Sequence, residues 1–344
     1  MDKVKFSERG KQILRLVIDH YIKTEEPVGS YALVESYDLP WSPATVRGTM
    51  AELMDQGYLT QPHLSAGRVP TEKGIRFYVD FLLYPRRLSQ EKRVLIRKRY
   101  EQTEGTLDEV IQETSRMLSD ISHCTGLATL PSARFMKIKS AELVKLGDKK
   151  VLVVIVFEGG MMEKTLIRIE REISKDALQR MSRYLSELAV GLTLDEVKAL
   201  VVSDLKFDKR LYDELIQSVI RFSRRIFEQR IQSNIYIKGQ TSILENSERT
   251  SPERLRELFR AFEEKSFLVN ILDKAMKKEG TGVFVGSENG ITEGYSLVAA
   301  PYGSGKKLGT LGVLGPIRMD YSRIISLVDY TARFVSKIVS EGEQ

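Results

Sequence analysis

The sequence predicts an α+β chain of several domains, and three observations carry that reading. Its 344 residues exceed the roughly 100 to 200 residues of one typical domain. The first 85 residues show helical periodicity that closes on a short hairpin. From Met136 onward, apolar runs punctuated by glycine turns mark the strands of a mostly antiparallel sheet. Hydrophobic residues at 42% and charged residues at 29%, with only ten prolines, exclude a mainly disordered or collagenous chain.

The N-terminal elements follow in order. Ser7 is a predicted N-cap, and Ile13, Leu14, Val17, Ile18, Tyr21 and Ile22 recur at helical spacing from Glu8 to about Lys23. A second short helix spans about Ser30 to Ser36 and yields to the turn at Asp38–Trp41. Ser42-Pro43 opens a third helix with an N-cap serine and a proline at the first helical position, and Gly57 is placed to end it in a left-handed cap. Two short extended runs, Tyr58–Gln61 and Gly67–Pro70, flank a polar tip, and a helix follows from Thr71 to about Leu83. Helix, helix, turn, helix, hairpin is the order of a winged helix-turn-helix.

A basic stretch from Arg86 to Arg99 reads as a linker, and an amphipathic helix covers about Leu107 to Ile121. Strands are expected at Met136–Leu146, Lys150–Phe157 and Met161–Ile169. A helical block, with apolar positions in Leu178–Leu188, Leu194–Val202 and Leu211–Ile231, then interrupts the sheet. After a strand near Asn234–Lys238 and helices at Pro252–Phe262 and Phe267–Lys277, strands return at Thr281–Gly286, Gly294–Pro301 and Leu308–Leu314. A final helix runs from about Tyr321 to Ser340.

Several classes of function are excluded by what the chain lacks. Its longest apolar run, Val151–Phe157, is far short of the roughly 20 residues of a membrane helix, and MDKVKFSERGK has no signal-peptide core, so a cytoplasmic protein is expected. One cysteine, Cys124, forms neither an internal disulfide nor a multi-thiolate metal site. His20, His63 and His123 lack metal-ligand spacing, and no cofactor or metal is expected. Gly303-Ser304-Gly305-Lys306-Lys307 resembles a phosphate loop, but Ala300 stands where the first glycine belongs and Lys307 where Ser or Thr belongs. No enzyme signature therefore survives, although a turnover seated on the sheet is the reading from another class.

The third helix makes a positive proposal. Val46, Met50, Leu53 and Met54 face inward, leaving Ala44, Thr45, Arg47, Gly48, Ala51 and Glu52 on the other side. Small residues at Ala44, Gly48 and Ala51 form a narrow strip suited to close approach in a DNA groove, with Thr45 and Arg47 as donors. Glycine costs about 1 kcal/mol relative to alanine inside a helix, so Gly48 makes sense where clearance matters. His63, Ser65 and Arg68 supply donors at the wing, and Lys73 and Arg76 extend that edge. The candidate DNA-binding set is Ser42, Ala44, Thr45, Arg47, Gly48, His63, Ser65, Arg68, Lys73 and Arg76. Bulk charge does not nominate this segment, because Met1–Pro85 holds ten Lys or Arg against eleven Asp or Glu, despite a net charge of +6 for the whole chain.

The run PHLSAGRVPTEKGIRFYVD, Pro62 to Asp80, closely resembles the HrcA family of bacterial heat-inducible transcription repressors. The resemblance extends to EPVGS at Glu26–Ser30, SPATVRGTMAELMDQGYL at Ser42–Leu59, FVGSEN at Phe284–Asn289 and GTLGVLGPIRMDYSRII at Gly309–Ile325, and so spans essentially the whole chain. It departs from the family pattern at Gly48, where Asn is usual, and at Leu64, where Thr is usual. The resemblance implies a winged helix-turn-helix at 1–85, a linker at 86–105, a GAF-like domain with a mostly antiparallel sheet at 106–170 and 245–344, and an inserted dimerisation domain at 171–244. It further implies a homodimer that represses chaperonin and chaperone operons by binding an inverted-repeat operator on double-stranded DNA. A GroEL-type chaperonin would keep it active, and heat stress would release it. The alternative is a winged-helix regulator answering to a small molecule in the GAF-like domain, near Gly282–Thr310.

Overall fold

The structure is a computed structural model that describes residues 7–63, 66–103, 106–131, 136–158, 161–168, 174–194, 196–197, 200, 235–241, 256, 260, 265–289, 293–303 and 307–341. It is a mixed α+β, multidomain arrangement of helices and antiparallel sheets.

Helices α1 (Glu8–Thr24), α2 (Ser30–Tyr37) and α3 (Pro43–Asp55) precede a hairpin of β1 (Leu59–Thr60) and β2 (Val69–Pro70). The expected caps explain where these helices begin: Ser7 Oγ accepts from the Gly10 amide at 3.1 Å and Ser42 Oγ from the Thr45 amide at 3.2 Å. Helix α4 (Glu72–Phe77) does not run on as α-helix to Leu83; it passes into a π-helical turn at Tyr78–Leu82, closed by Leu83 N–H on the Tyr78 carbonyl. Tyr78 ties this turn to α1 through a 2.7 Å bond to Asp19. Burial, together with that carboxylate, pushes its phenol well above the usual range.

The stretch expected as a basic linker contains a helix, α5 (Gln90–Glu101), with Ile96 and Tyr100 buried. Arg99 pairs with Glu113 at 3.2 Å and Asp120 at 2.7 Å on α6 (Leu107–Ser122), so part of the charge run is consumed within the fold.

The strands form two larger sheets. One holds β3 (Thr125–Thr129), β7 (Ile235–Lys238), β8 (Gly282–Val285), β9 (Tyr295–Tyr302) and β10 (Gly309–Pro316) in the order β7-β3-β10-β9-β8, every neighbour antiparallel. The other holds β4 (Ile138–Gly147), β5 (Lys150–Phe157) and β6 (Met162–Arg168) in sequence order. The expectation that the strands of 136–169 and 281–314 belong to one interrupted sheet is thereby corrected. Strand β3 was not anticipated, and its composition explains why: a Cβ on Gly126 would lie 2.0 Å from the Ser115 carbonyl oxygen. The close approach of α6 therefore demands glycine and dilutes the strand signal.

Burial follows this layering. α6 and α9 (Tyr321–Glu341) cover one face of the five-stranded sheet, meeting Val298, Ala300, Leu311 and Val313, in a core that continues through α5 into α1–α4. α8 (Lys265–Lys277) covers the other face, with Leu268, Ile271 and Leu272 against Phe284, Leu297 and Leu314. Helices on both sides explain why β8, β9 and β10 are almost continuously apolar rather than alternating. The three-stranded sheet packs α7 (Lys175–Ala189) on Leu143, Val151, Val153 and Ile155. The helical positions expected at Leu211–Ile231, and most of those at Leu194–Val202, lie outside the described residues, as does the helix expected at Pro252–Phe262 apart from Arg256 and Arg260.

Candidate nucleic-acid interface

Helix α3 is held at both ends, and that fixes which side chains it presents. At its start Ser42 Oγ also lies 2.9 Å from Thr45 Oγ1, so both hydroxyls are partly occupied in capping. At its end Gly57, with φ of 75°, donates its N–H to the Met54 carbonyl at 2.8 Å while Tyr58 N–H reaches Leu53 at 2.9 Å, the paired bonds of a Schellman stop. Val46, Thr49, Met50 and Leu53 are buried. Ala44, Arg47, Gly48 and Glu52 are exposed, with Thr45 and Ala51 half-buried beside them. Beyond its own helix backbone, no heavy atom of the described residues lies within 4 Å of where a Gly48 Cβ would sit, so this glycine is not required by packing against them. Among the described residues Arg47 engages no partner.

The hairpin stands next to this helix. Leu59 pairs with Pro70 and Thr60 with Val69. Val28 joins from the segment before α2, exchanging N–H···O bonds with Arg68 at 3.0 and 2.9 Å. A Gly67 Cβ would come within 2.5 to 2.7 Å of the Pro27 and Val28 backbone, which is why this crossing needs glycine. His63 is exposed at the tip, where its carbonyl accepts from Ala66 N–H at 2.9 Å. Ser65 lies outside the described residues, as does Leu64. Arg68 is half-buried, and its Nε is buried with no hydrogen-bond partner among the described residues.

Lys73 and Arg76 are placed elsewhere. Lys73 Nζ donates to the Gln56 carbonyl at 2.8 Å and lies 4.4 Å above the Tyr58 ring, bracing the end of α3. Arg76 pairs with Asp80 and sends Nη1 to the Val283 carbonyl at 2.7 Å, leaving its side chain 22% exposed. The structure therefore brings Ser42, Ala44, Thr45, Arg47 and Gly48 together on one helix, with His63 and Arg68 on the adjacent hairpin. It does not bring Arg76 to that face.

Elsewhere the chemistry is quiet. Burial pushes the Cys124 thiol up to about 11, and no cluster of three or more His, Cys, Asp or Glu side chains suited to a metal forms among the described residues. No described helix is long and apolar enough to cross a membrane. Sequence reasoning missed Glu72, whose carboxylate meets Ser287 and Gly294; the FVGSEN run with its Gly286 was the available signal.

Comparison with known proteins adds an independent line. A family model described as the HrcA protein C-terminal domain matches residues 108–325. The chain is 44% identical over 340 residues to the heat-inducible transcription repressor HrcA of Geobacter sulfurreducens, covering 98% of this chain and 99% of that protein. It is 36% identical to the protein of the same name from Syntrophobacter fumaroxidans, over 97% of this chain and 98% of the relative. A solved structure described as a hypothetical protein at 2.2 Å resolution has the same fold, with a TM-score of 0.63 at 22% identity, over 98% of this chain and 100% of the other.

Proposed function

The chain belongs to the HrcA family of heat-inducible transcription repressors, and from that premise we propose that it binds an inverted-repeat operator upstream of chaperonin and chaperone operons. Proteins of this family are transcriptional regulators, not enzymes. The observation that carries the DNA reading is the exposed face of α3, where Ala44, Arg47 and Gly48 stand clear of the rest of the fold beside a hairpin with an exposed His63. Helices α1–α3 with that hairpin form a winged helix-turn-helix. Its α3 enters the major groove, Arg47 and Thr45 reach bases or phosphates, and the hairpin contacts the neighbouring backbone.

A repeat with two-fold symmetry asks for a two-fold protein. In this reading the five-stranded sheet, with α6, α8 and α9, is the GAF-like domain, and the separate three-stranded sheet with α7 supports an insertion that begins near Met136. The dimer surface includes the sheet face turned away from α7, where Val144, Leu152 and Leu166 line up across three strands and Met162 is 58% exposed. The GroEL-type chaperonin holds the dimer in its DNA-binding form, and heat stress, by occupying the chaperonin with unfolded chains, releases it.

A fluorescence-anisotropy titration tests this reading, using a duplex with the inverted repeat and a scrambled duplex, at two salt concentrations, with and without chaperonin. Salt-sensitive binding that strongly favours the repeat, strengthened by chaperonin, is the expected result. Equal weak binding to both duplexes would overturn the operator assignment.

A further inference from the structure

Helix α4 is bonded on two sides. On one side it serves α3: Thr71, its N-cap, donates its hydroxyl to the Gly57 carbonyl at 2.7 Å, and Lys73 holds the Gln56 carbonyl. On the other side it meets the edge of the five-stranded sheet. Strand β8 ends the strand order, so its outward backbone groups need partners, and Arg76 donates to the Val283 carbonyl there. One turn earlier Glu72 enters a cradle. Its Oε2 accepts from the Ser287 amide at 3.2 Å and the Ser287 hydroxyl at 3.1 Å, and its Oε1 accepts from the Gly294 amide at 3.3 Å. Gly286 makes room for it: with φ of 54°, a Cβ at that position would fall 2.0 Å from the Glu72 carboxyl carbon.

Three donors converge on one carboxylate, beside a glycine whose left-handed φ and close approach to Glu72 both exclude a side chain. They fasten the unit carrying α3 to the sheet without covering Ala44, Arg47 or Gly48, so the fastened state is open to DNA. A two-fold protein must present its two recognition helices about 34 to 36 Å apart, or a multiple of that. A loosely tethered α3 would have to be ordered during binding, and the second half-site contact would lose effective concentration.

We propose that Glu72 is a positioning residue for operator recognition: seated in the Gly286–Ser287–Gly294 cradle, it fixes the orientation of α3 and so the spacing at which the dimer engages both half-sites. This inference rests on α3 being the DNA-contacting helix. The test uses the full-length protein and its Glu72→Ala, Glu72→Gln and Ser287→Ala variants. Each is titrated against a single half-site, the intact repeat, and repeats whose spacer is changed one base pair at a time. Folding is checked by circular dichroism and thermal melting.

The wild type shows a sharp optimum in spacing. Glu72→Ala loses about tenfold in affinity for the intact repeat, keeps its half-site affinity and flattens the spacing profile. Glu72→Gln, which retains an acceptor, and Ser287→Ala, which removes one donor, fall between. A repeat affinity and spacing profile unchanged in all three variants would overturn the positioning role. So would equal losses on half-site and repeat accompanied by a lower melting temperature, which is the result of simple destabilisation. Failure of the wild type to prefer the repeat would overturn the DNA reading itself, and the positioning role with it.

Discussion

The Lys73 ammonium lies 2.8 Å from the Gln56 carbonyl and 4.4 Å above the Tyr58 ring, at the C-terminal end of α3. A cation there meets the unsatisfied carbonyls and the negative end of the helix dipole. Lys73, though exposed, is thus engaged within the chain, whereas Arg47, two turns back, engages no partner among the described residues.

The two residues therefore separate under substitution. Arg47→Ala is expected to weaken operator binding by about 1 to 3 kcal/mol if it contacts a base, or to reduce the salt slope by about 1 if it contacts phosphate, with the melting temperature unchanged. Lys73→Ala is expected to lower stability by less than about 1 kcal/mol and to leave the salt slope alone. Anisotropy at several salt concentrations, paired with thermal melts, distinguishes them. A salt slope that falls for Lys73→Ala and not for Arg47→Ala would reverse the assignment.

Gly48 gives a prediction of opposite signs. With open space around its missing Cβ, Gly48→Ala should stabilise α3 by about 1 kcal/mol, the ordinary helix-propensity gain. The added methyl then intrudes on the groove, so operator affinity should drop while denaturant stability rises. A stabler variant with undiminished affinity would show that close approach at this position has no part in binding.

Assembly is tested on the three-stranded sheet. Leu166 is 51% exposed and stands in a row with Leu152 and Val144. Leu166→Lys places a charge in that apolar face with little effect on the fold, since surface changes usually stay within about 0.5 kcal/mol. Sedimentation velocity is expected to show a monomer with weakened binding to the repeat. An intact dimer would move the two-fold contact to another surface.

Local order was legible in the sequence because its causes are local. Ser7, Ser42 and Gly57 act on amides and carbonyls within five residues, so the ends of α1 and α3 could be read from those residues alone. Inward positions of α3 followed equally from the helical repeat, and the exposed Ala44, Arg47 and Gly48 came with them. Extended motifs spread along the chain made the family recognisable for the same reason: they are continuous strings.

Only the tertiary structure decided what depends on distant partners. Apolar runs bounded by glycine turns mark β4, β5 and β6 as strands but carry no address for their neighbours, so one sheet and two sheets look alike in sequence. Strand β3 was hidden because Gly126 answers to α6 above it rather than to strand propensity. Arg76 read as a wing-edge charge, and Glu72 carried no signal of its own, until Val283, Ser287 and Gly294, more than 200 residues away, were brought against them. A capping hydroxyl or a helical stripe is determined within a few residues of chain. A strand neighbour or a charge partner is determined by the packing that closes the whole fold.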